Sequence, residues 1–175
     1  MTLSTAPSRT ASPAAPTLQT ERLQDGPLIA DLIERAFGPG RYAKAAERLR
    51  EHNAPLLDIS FCAWSGDKLA GCVRMWPILI GERPAVFLGP FAVEPEFRSL
   101  GLGATLIRRA IAASGEAGHR MILLVGDGPY FEPLGFRHVP PGRIILPGPV
   151  NPARVFSLAL VAGGDDDLSG AVTVP

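Results

Sequence analysis

The hydrophobic pattern changes period several times along the chain. Apolar positions first recur at helical spacing through Leu28, Ile29, Leu32, Ile33, Ala36 and Phe37, which predicts an amphipathic helix. Asp25 is its expected N-cap, Pro27 falls in its first turn, and Gly38-Pro39-Gly40 stops it. A short strand over Thr17–Leu23 comes before it, and a second helix over Tyr42–His52 comes after, ended by Asn53-Ala54-Pro55. The period then shortens. Asp58–Trp64, Leu69–Ile80 and Ala85–Val93 read as strands joined by turns at Ser65–Lys68 and Gly81–Pro84. Pro90 lies inside the last of these strands. It has no N–H to give to a ladder, so a bulge or an unpaired stretch is expected there.

Beyond Val93, the segment Arg98-Ser99-Leu100-Gly101-Leu102-Gly103 leads into a helix with Leu106, Ile107, Ala110, Ile111 and Ser114 on one face, closed by Gly115 and Gly118. Met121–Val125 is continuously apolar, as a strand buried on both faces would be. A turn at Gly126–Pro129 precedes a short helix, Tyr130–Leu134, capped by Gly135. Phe136–Val139 is extended, Pro140-Pro141-Gly142 breaks it, and Arg154–Val161 is a last alternating strand. The order β α α β β β α β α β β predicts a mixed α/β fold around one central sheet. Residues 1–16, rich in Pro, Ser, Thr and Ala, are expected to be a disordered leader, and 163–175 a solvated acidic tail. One domain over 17–162 remains.

Composition narrows the function classes. The chain has 175 residues, with 17 Lys+Arg against 17 Asp+Glu, so no basic excess points to a general nucleic-acid binder. Arg9 in the leader and Asp165–Asp167 in the tail hide a small positive excess in the body. No apolar run approaches the ~18 residues of a membrane span, and no signal-peptide core opens the chain. Cys62 and Cys72 form no CxxC and read as buried reduced thiols of a cytoplasmic protein. His52, His119 and His138 have no metal-ligand spacing, so no metal is expected.

The chemistry concentrates in Arg98–Gly103. Its glycines let backbone approach a ligand, and the following helix offers unpaired N–H groups and a positive dipole end. Arg98 adds charge. Together these suit a phosphate, although a plain glycine-rich turn has the same residues. A Rossmann fingerprint would need a glycine where Leu106 stands, and a Walker loop would need Gly-Lys-Ser/Thr where Gly103-Ala104-Thr105 stands.

Arg98-x-x-Gly101-x-Gly103 after Phe91-Ala92-Val93 resembles motif A of the GNAT acyl-CoA N-acyltransferases. Gly126-Asp-Gly-Pro-Tyr-Phe-Glu-Pro-Leu-Gly-Phe136 resembles motif B of the same family, and the Leu88-Gly-Pro90 entry is similar to one bacterial branch of it. The resemblance implies a GNAT fold of about six to seven strands and four helices, with the motif A strand splayed from the next. It implies acetyl-CoA, or another acyl-CoA, as co-substrate. Phe91, Ala92 and Val93 would then line the pantetheine, and backbone N–H groups of Arg98, Ser99, Leu100, Gly101, Leu102 and Gly103 would hold the pyrophosphate. Phe131 would also touch the co-substrate.

The resemblance further implies direct transfer of an acetyl or other short acyl group to an amine, which must lose a proton before it attacks. Glu94 and Asp127 are the candidate bases. Many family members place a tyrosine five residues before the Phe of the Gly-Phe pair, as acid for the leaving thiolate. Here that position is Phe131 and the hydroxyl is next door on Tyr130, the candidate acid. Arg41, Tyr42, Arg74, Trp76 and Arg143 are candidates for the acceptor pocket. The acceptor is expected to be a small molecule or peptide amine, and a homodimer is compatible. The departure at Phe131 leaves a second reading open, a catalytically weak acyl-CoA-binding module.

Overall fold

The computed structural model describes residues 15–175; the expected leader lies, but for Ala15 and Pro16, outside them. The fold is mixed α/β, as the element order predicts. In chain order its elements are β1 Thr17–Thr20, α1 Gly26–Phe37, α2 Ala45–Arg48, β2 Phe61–Ser65, β3 Lys68–Ile80 and β4 Arg83–Val93. There follow α3 Leu102–Glu116, β5 Met121–Val125, α4 Gly128–Phe131, β6 Arg137–His138, β7 Ile144–Ile145, β8 Val155–Ala159 and β9 Gly170–Thr173. The sheet runs β1-β2-β3-β4-β5-β8-β6, with β9 paired to both β3 and β7. All pairings along that path are antiparallel except β4 with β5.

The hydrophobic pattern explains how the layers pack. On α3, Leu102, Leu106, Ile107, Ala110 and Ala113 bury one face against β2, β3 and β4. A fully buried Leu or Ile contributes about 1.5–3 kcal/mol relative to exposure. On α1, Ile29, Leu32 and Ile33 do the same against β3 and β4. Along β5 the side chains alternate. Ile122 and Leu124 join the cluster under α3, while Met121 and Leu123 join the one on the opposite face with Trp76 and Phe87. The strand is therefore buried on both sides, as its apolar run implies.

Several expectations are corrected. The helix expected over Tyr42–His52 is a 3-10 turn, Pro39–Ala43, and the single turn α2. Only Ala45 and Leu49 are buried there, too few apolar positions to hold a long amphipathic helix. The strand expected from Asp58 starts at Phe61, after a 3-10 turn at Leu57–Ile59. Asp25 takes the N-cap position of α1, but its carboxylate accepts from the Arg22 main-chain N–H at 2.9 Å and from the Arg22 guanidinium. Among the described residues the sheet counts nine strands, the short β6, β7 and β9 extending the six to seven implied.

The largest correction is at the C-terminus. Residues 163–175 are not simply a solvated tail, for β9 closes against Leu79 and Ile80 of β3 and against β7. β3 outruns β2, whose pairing ends at Val73, so the far end of β3 would otherwise be an open edge. Leu168 and Val172 are buried there at 4% and 1% exposure, while Asp166 and Asp167 stay exposed.

Candidate active site

The functional geometry begins where β4 and β5 part. They pair only at Val86–Ile122 and Phe87–Leu123. Beyond that point the Gly89–Pro90 step, a cis peptide, lies opposite a register shift in β3 between Val73 and Met75. The break expected at Pro90 is therefore present. A cavity of about 380 Å³ opens in the gap. Its strand walls are Leu88–Phe91 and Leu124–Asp127. Across from them stand Arg41, Lys44, Glu47 and Arg50, and Arg154 completes the rim.

Beside the gap, Pro95–Leu100 forms a 3-10 turn and Gly101 takes left-handed backbone, φ 69°, which a side chain would strain. α3 starts immediately after. The Thr105 N–H donates to the Gly101 carbonyl at 3.1 Å, so the N–H groups of Leu102, Gly103 and Ala104 precede the first helical donor. They form the positive end of a helix dipole, an arrangement that suits an anion. Arg98 folds back, its Nε donating to the Val93 carbonyl at 3.1 Å, which ties the loop to the end of β4. Gly103 leaves room for two rings. A Cβ there would lie 2.6 Å from Tyr130 Oη and 3.0 Å from Phe91 Cε2. Those rings stack, with centroids 5.6 Å apart and planes 23° apart.

The candidate catalytic residues separate in space. Glu94 is buried at the foot of β4, outside the cavity lining, and accepts from Arg35 Nη1 at 2.7 Å. Asp127 does line the cavity, at the N-cap of α4, with Arg154 Nη2 3.1 Å from its Oδ1. The Tyr130 hydroxyl faces Gly103, and Tyr130 is not among the cavity-lining residues. Burial raises its phenol above the ordinary value, opposed by Arg108. Phe131 lines the cavity and is buried, packed edge-on against Phe136. Its ring occupies the space a Cβ at Gly126 would need, 2.2 Å from Cε2.

Of the acceptor candidates, only Arg41 lines the cavity. Tyr42 stacks against the Arg41 guanidinium at 4.2 Å, half exposed. Arg74 is held by Glu21 at 2.6 Å, Trp76 is core, and Arg143 donates to the Leu168 carbonyl at 2.7 Å. Sequence reasoning missed Lys44, Glu47, Arg50 and Arg154. Lys44, Glu47 and Arg50 lie in the stretch expected as a helix over Tyr42–His52, and Arg154 opens the strand expected over Arg154–Val161, so none stood out as a site residue. Among the described residues, no group of His, Cys, Asp and Glu is arranged to hold a metal, and no helix is long and apolar enough to cross a membrane.

The family model described as Acetyltransferase (GNAT) family matches residues 27–136, more than half of the chain and all of the cleft described above except its distal rim. The chain belongs to this GNAT acetyltransferase family. Solved GNAT structures resemble it over most of its length. A GNAT family N-acetyltransferase (YhbS) from Escherichia coli, in complex with CoA, is 22% identical with TM-score 0.78, covering 95% of this chain and 94% of that one. A GNAT family acetyltransferase from Brucella melitensis, in complex with acetyl-CoA, is 29% identical with TM-score 0.63, covering 82% and 87%. The ribosomal-protein-S18-alanine N-acetyltransferase from Escherichia coli is 19% identical with TM-score 0.56, covering 83% and 94%. A search of curated proteins found no match to the sequence. The splayed strands, the left-handed glycine and the open helix N-terminus all lie within the residues that the GNAT family model matches.

Proposed function

We propose that this GNAT protein transfers a short acyl group, such as acetyl, from acyl-CoA directly to an amine acceptor. The observation that carries the reading is the cavity at the parting of β4 and β5, next to the open N-terminus of α3. The residues fit such a co-substrate. The N–H groups at Leu102, Gly103 and Ala104, with Arg98 beside them, suit a pyrophosphate. Phe91, Ala92 and Val93 offer a strand edge for the pantetheine, since β4 has lost its β5 partner there. Acyl-CoA supplies the activated acyl group when bound. An open main-chain N–H near Phe91–Val93 would polarise the reacting carbonyl.

Asp127 is the better-placed of the two candidate bases, because it borders the cavity while Glu94 is turned toward Arg35. It would take the amine proton through water. The thiolate needs little help, as a thiol with pKa about 8.5 is a tolerable leaving group near neutral pH. Tyr130 then serves better as a contact to the co-substrate arm over Gly103 than as the acid. Buried, unbridged Cys62 and Cys72 suit a reducing compartment, the cytoplasm. Burial raises both thiols, Cys72 to about 12, so neither is a nucleophile.

Phe131 favours a second reading, an acyl-CoA-binding module with weak turnover, because the family tyrosine is replaced by a buried ring. Thermal shift and thiol release together decide. Acetyl-CoA at a hundred times its dissociation constant should stabilise the fold by about 2.7 kcal/mol, and amines should then release CoA. Stabilisation without turnover supports the module; no shift with any CoA species overturns both readings.

A further inference from the structure

The acceptor wall carries a cation whose compensation is incomplete. Arg50 leans over β4, its Nη2 3.6 Å from where a Cβ at Gly89 would sit, at the step where the strands part. Its Nη1 donates to Glu47 Oε2 at 2.8 Å. Its Nε is buried with no partner among the described residues. Glu47 is shared, since Arg41 Nη1 lies 3.5 Å from the same oxygen. Arg41 is also held by Glu34 at 3.2 Å, and Arg154 by Asp127 at 3.1 Å. Lys44, on the same wall, has no acid within ion-pair distance among the described residues. Burial works against the Arg50 charge, with Glu47 opposing that effect and Arg41 and Arg74 adding to it.

A guanidinium taken partly out of water with half a carboxylate is better satisfied when an anion arrives. Its planar fork matches carboxylate and phosphate oxygens. Resting on the acyl-transfer reading of this site, we propose that the acceptor is a small amine carrying its own anion, a carboxylate or a phosphate, received by Arg50 with Lys44 at the entrance. The cavity, about 380 Å³, suits a metabolite-sized molecule. The anion need not be one of the co-substrate's phosphates, because the loop at Arg98–Gly103 is not part of this cavity's lining. The short reach from Arg50 to β4 places the anion near the amine, as in an amino acid or an amino-alkyl phosphate.

Direct binding tests this independently of turnover. Matched pairs are titrated calorimetrically into the protein with and without saturating CoA. The pairs are an α-amino acid against its amide, and phosphoethanolamine against ethanolamine. The anionic member should bind at least about tenfold tighter, and which pair shows the larger ratio distinguishes carboxylate from phosphate. R50Q should erase the ratio while acetyl-CoA affinity stays within about twofold. K44Q, at an exposed position, should lower the ratio if R50Q fails to fold. Equal binding within both pairs overturns the inference, whatever acetyl-CoA does. A ratio preserved in the variants, or an R50Q defect confined to acetyl-CoA, overturns it as well. Failure of acetyl-CoA to bind at all breaks the transferase reading and leaves the ratio to be read on the free protein.

Discussion

On one side of the cleft, Arg98–Gly103 builds its site from backbone: a left-handed glycine, a second glycine beneath two rings, and the first N–H groups of α3. On the other side, residues 38–55 build theirs from side chains on two short helical turns, through Arg41, Lys44, Glu47 and Arg50. A backbone site is fixed by local sequence and presents the same groups in any chain that folds this way. A side-chain site depends on pairings such as Arg41–Glu34 and on support from distant segments. The first wall suits an invariant co-substrate. In the proposed function, the second is where the acceptor would be chosen.

The comparison is broken most strongly from behind the acceptor wall. Leu168 packs with Leu146 and Val139, and its carbonyl accepts from Arg143. The Gly170 N–H donates to the Arg143 carbonyl at 3.0 Å, and β9 pairs with β7. This brace holds the segment that runs on to Arg154. Leu168→Ala should cost about 2–5 kcal/mol in urea unfolding and raise the acceptor KM while leaving the acetyl-CoA KM alone. If the acetyl-CoA KM moves equally, the two walls are not independent.

Gly103→Val tests the other wall. Its Cβ would meet Tyr130 Oη at 2.6 Å, and its methyl groups would crowd Phe91 and the helix N-terminus. Displacing those rings should weaken acetyl-CoA binding about a hundredfold, roughly 2.7 kcal/mol, read by calorimetry. Unchanged binding would show that the loop is a turn and nothing more.

The same contrast decides what could be read from the sequence. The loop, α3, the doubly buried β5 and the break at Pro90 were legible because each follows from residues close together in the chain. The cluster of Arg41, Glu47 and Arg50 was not, because its helix has only Ala45 and Leu49 to bury and its carboxylates are chosen by tertiary contact. Nor was β9. Its acidic approach, Asp165–Asp167, looks like a solvated tail until the unpaired end of β3 gives Val172 somewhere to go. Arg74 and Arg143 looked like substrate residues for the same reason. An arginine's partner, Glu21 for one and a carbonyl for the other, is far away in sequence.

Tyr130→Phe sharpens the comparison at the border between the walls. Burial raises the phenol above its ordinary value, so the hydroxyl stays protonated around neutral pH and should impose no limb on the rate profile there. The variant should lose a few-fold in acetyl-CoA affinity, with kcat and its pH profile unchanged. A marked drop in kcat, largest toward the alkaline side where solvent protons are scarce, would restore Tyr130 as the acid.

The smallest expected effect is at Glu94, and it discriminates between charge used for chemistry and charge used for construction. Its side chain is 8% exposed and its carboxylate accepts from Arg35, which also reaches Asp31 at 3.1 Å. The Glu94 main-chain N–H is bonded to the Ala70 carbonyl at 2.9 Å, so the residue is tied to β3 by its main chain and to α1 by its side chain. A general base must reach the amine directly or through one water, and Glu94 is outside the cavity wall. Glu94→Gln should therefore leave kcat within about twofold and shift the unfolding midpoint modestly downward, since Gln still accepts from Arg35 but no longer answers its charge. Asp127→Asn, at the cavity rim, should lower kcat far more at the same acceptor concentration. If the two variants exchange these behaviours, the proton leaves from the α1 side of β4, and the acceptor wall has been assigned to the wrong set of side chains.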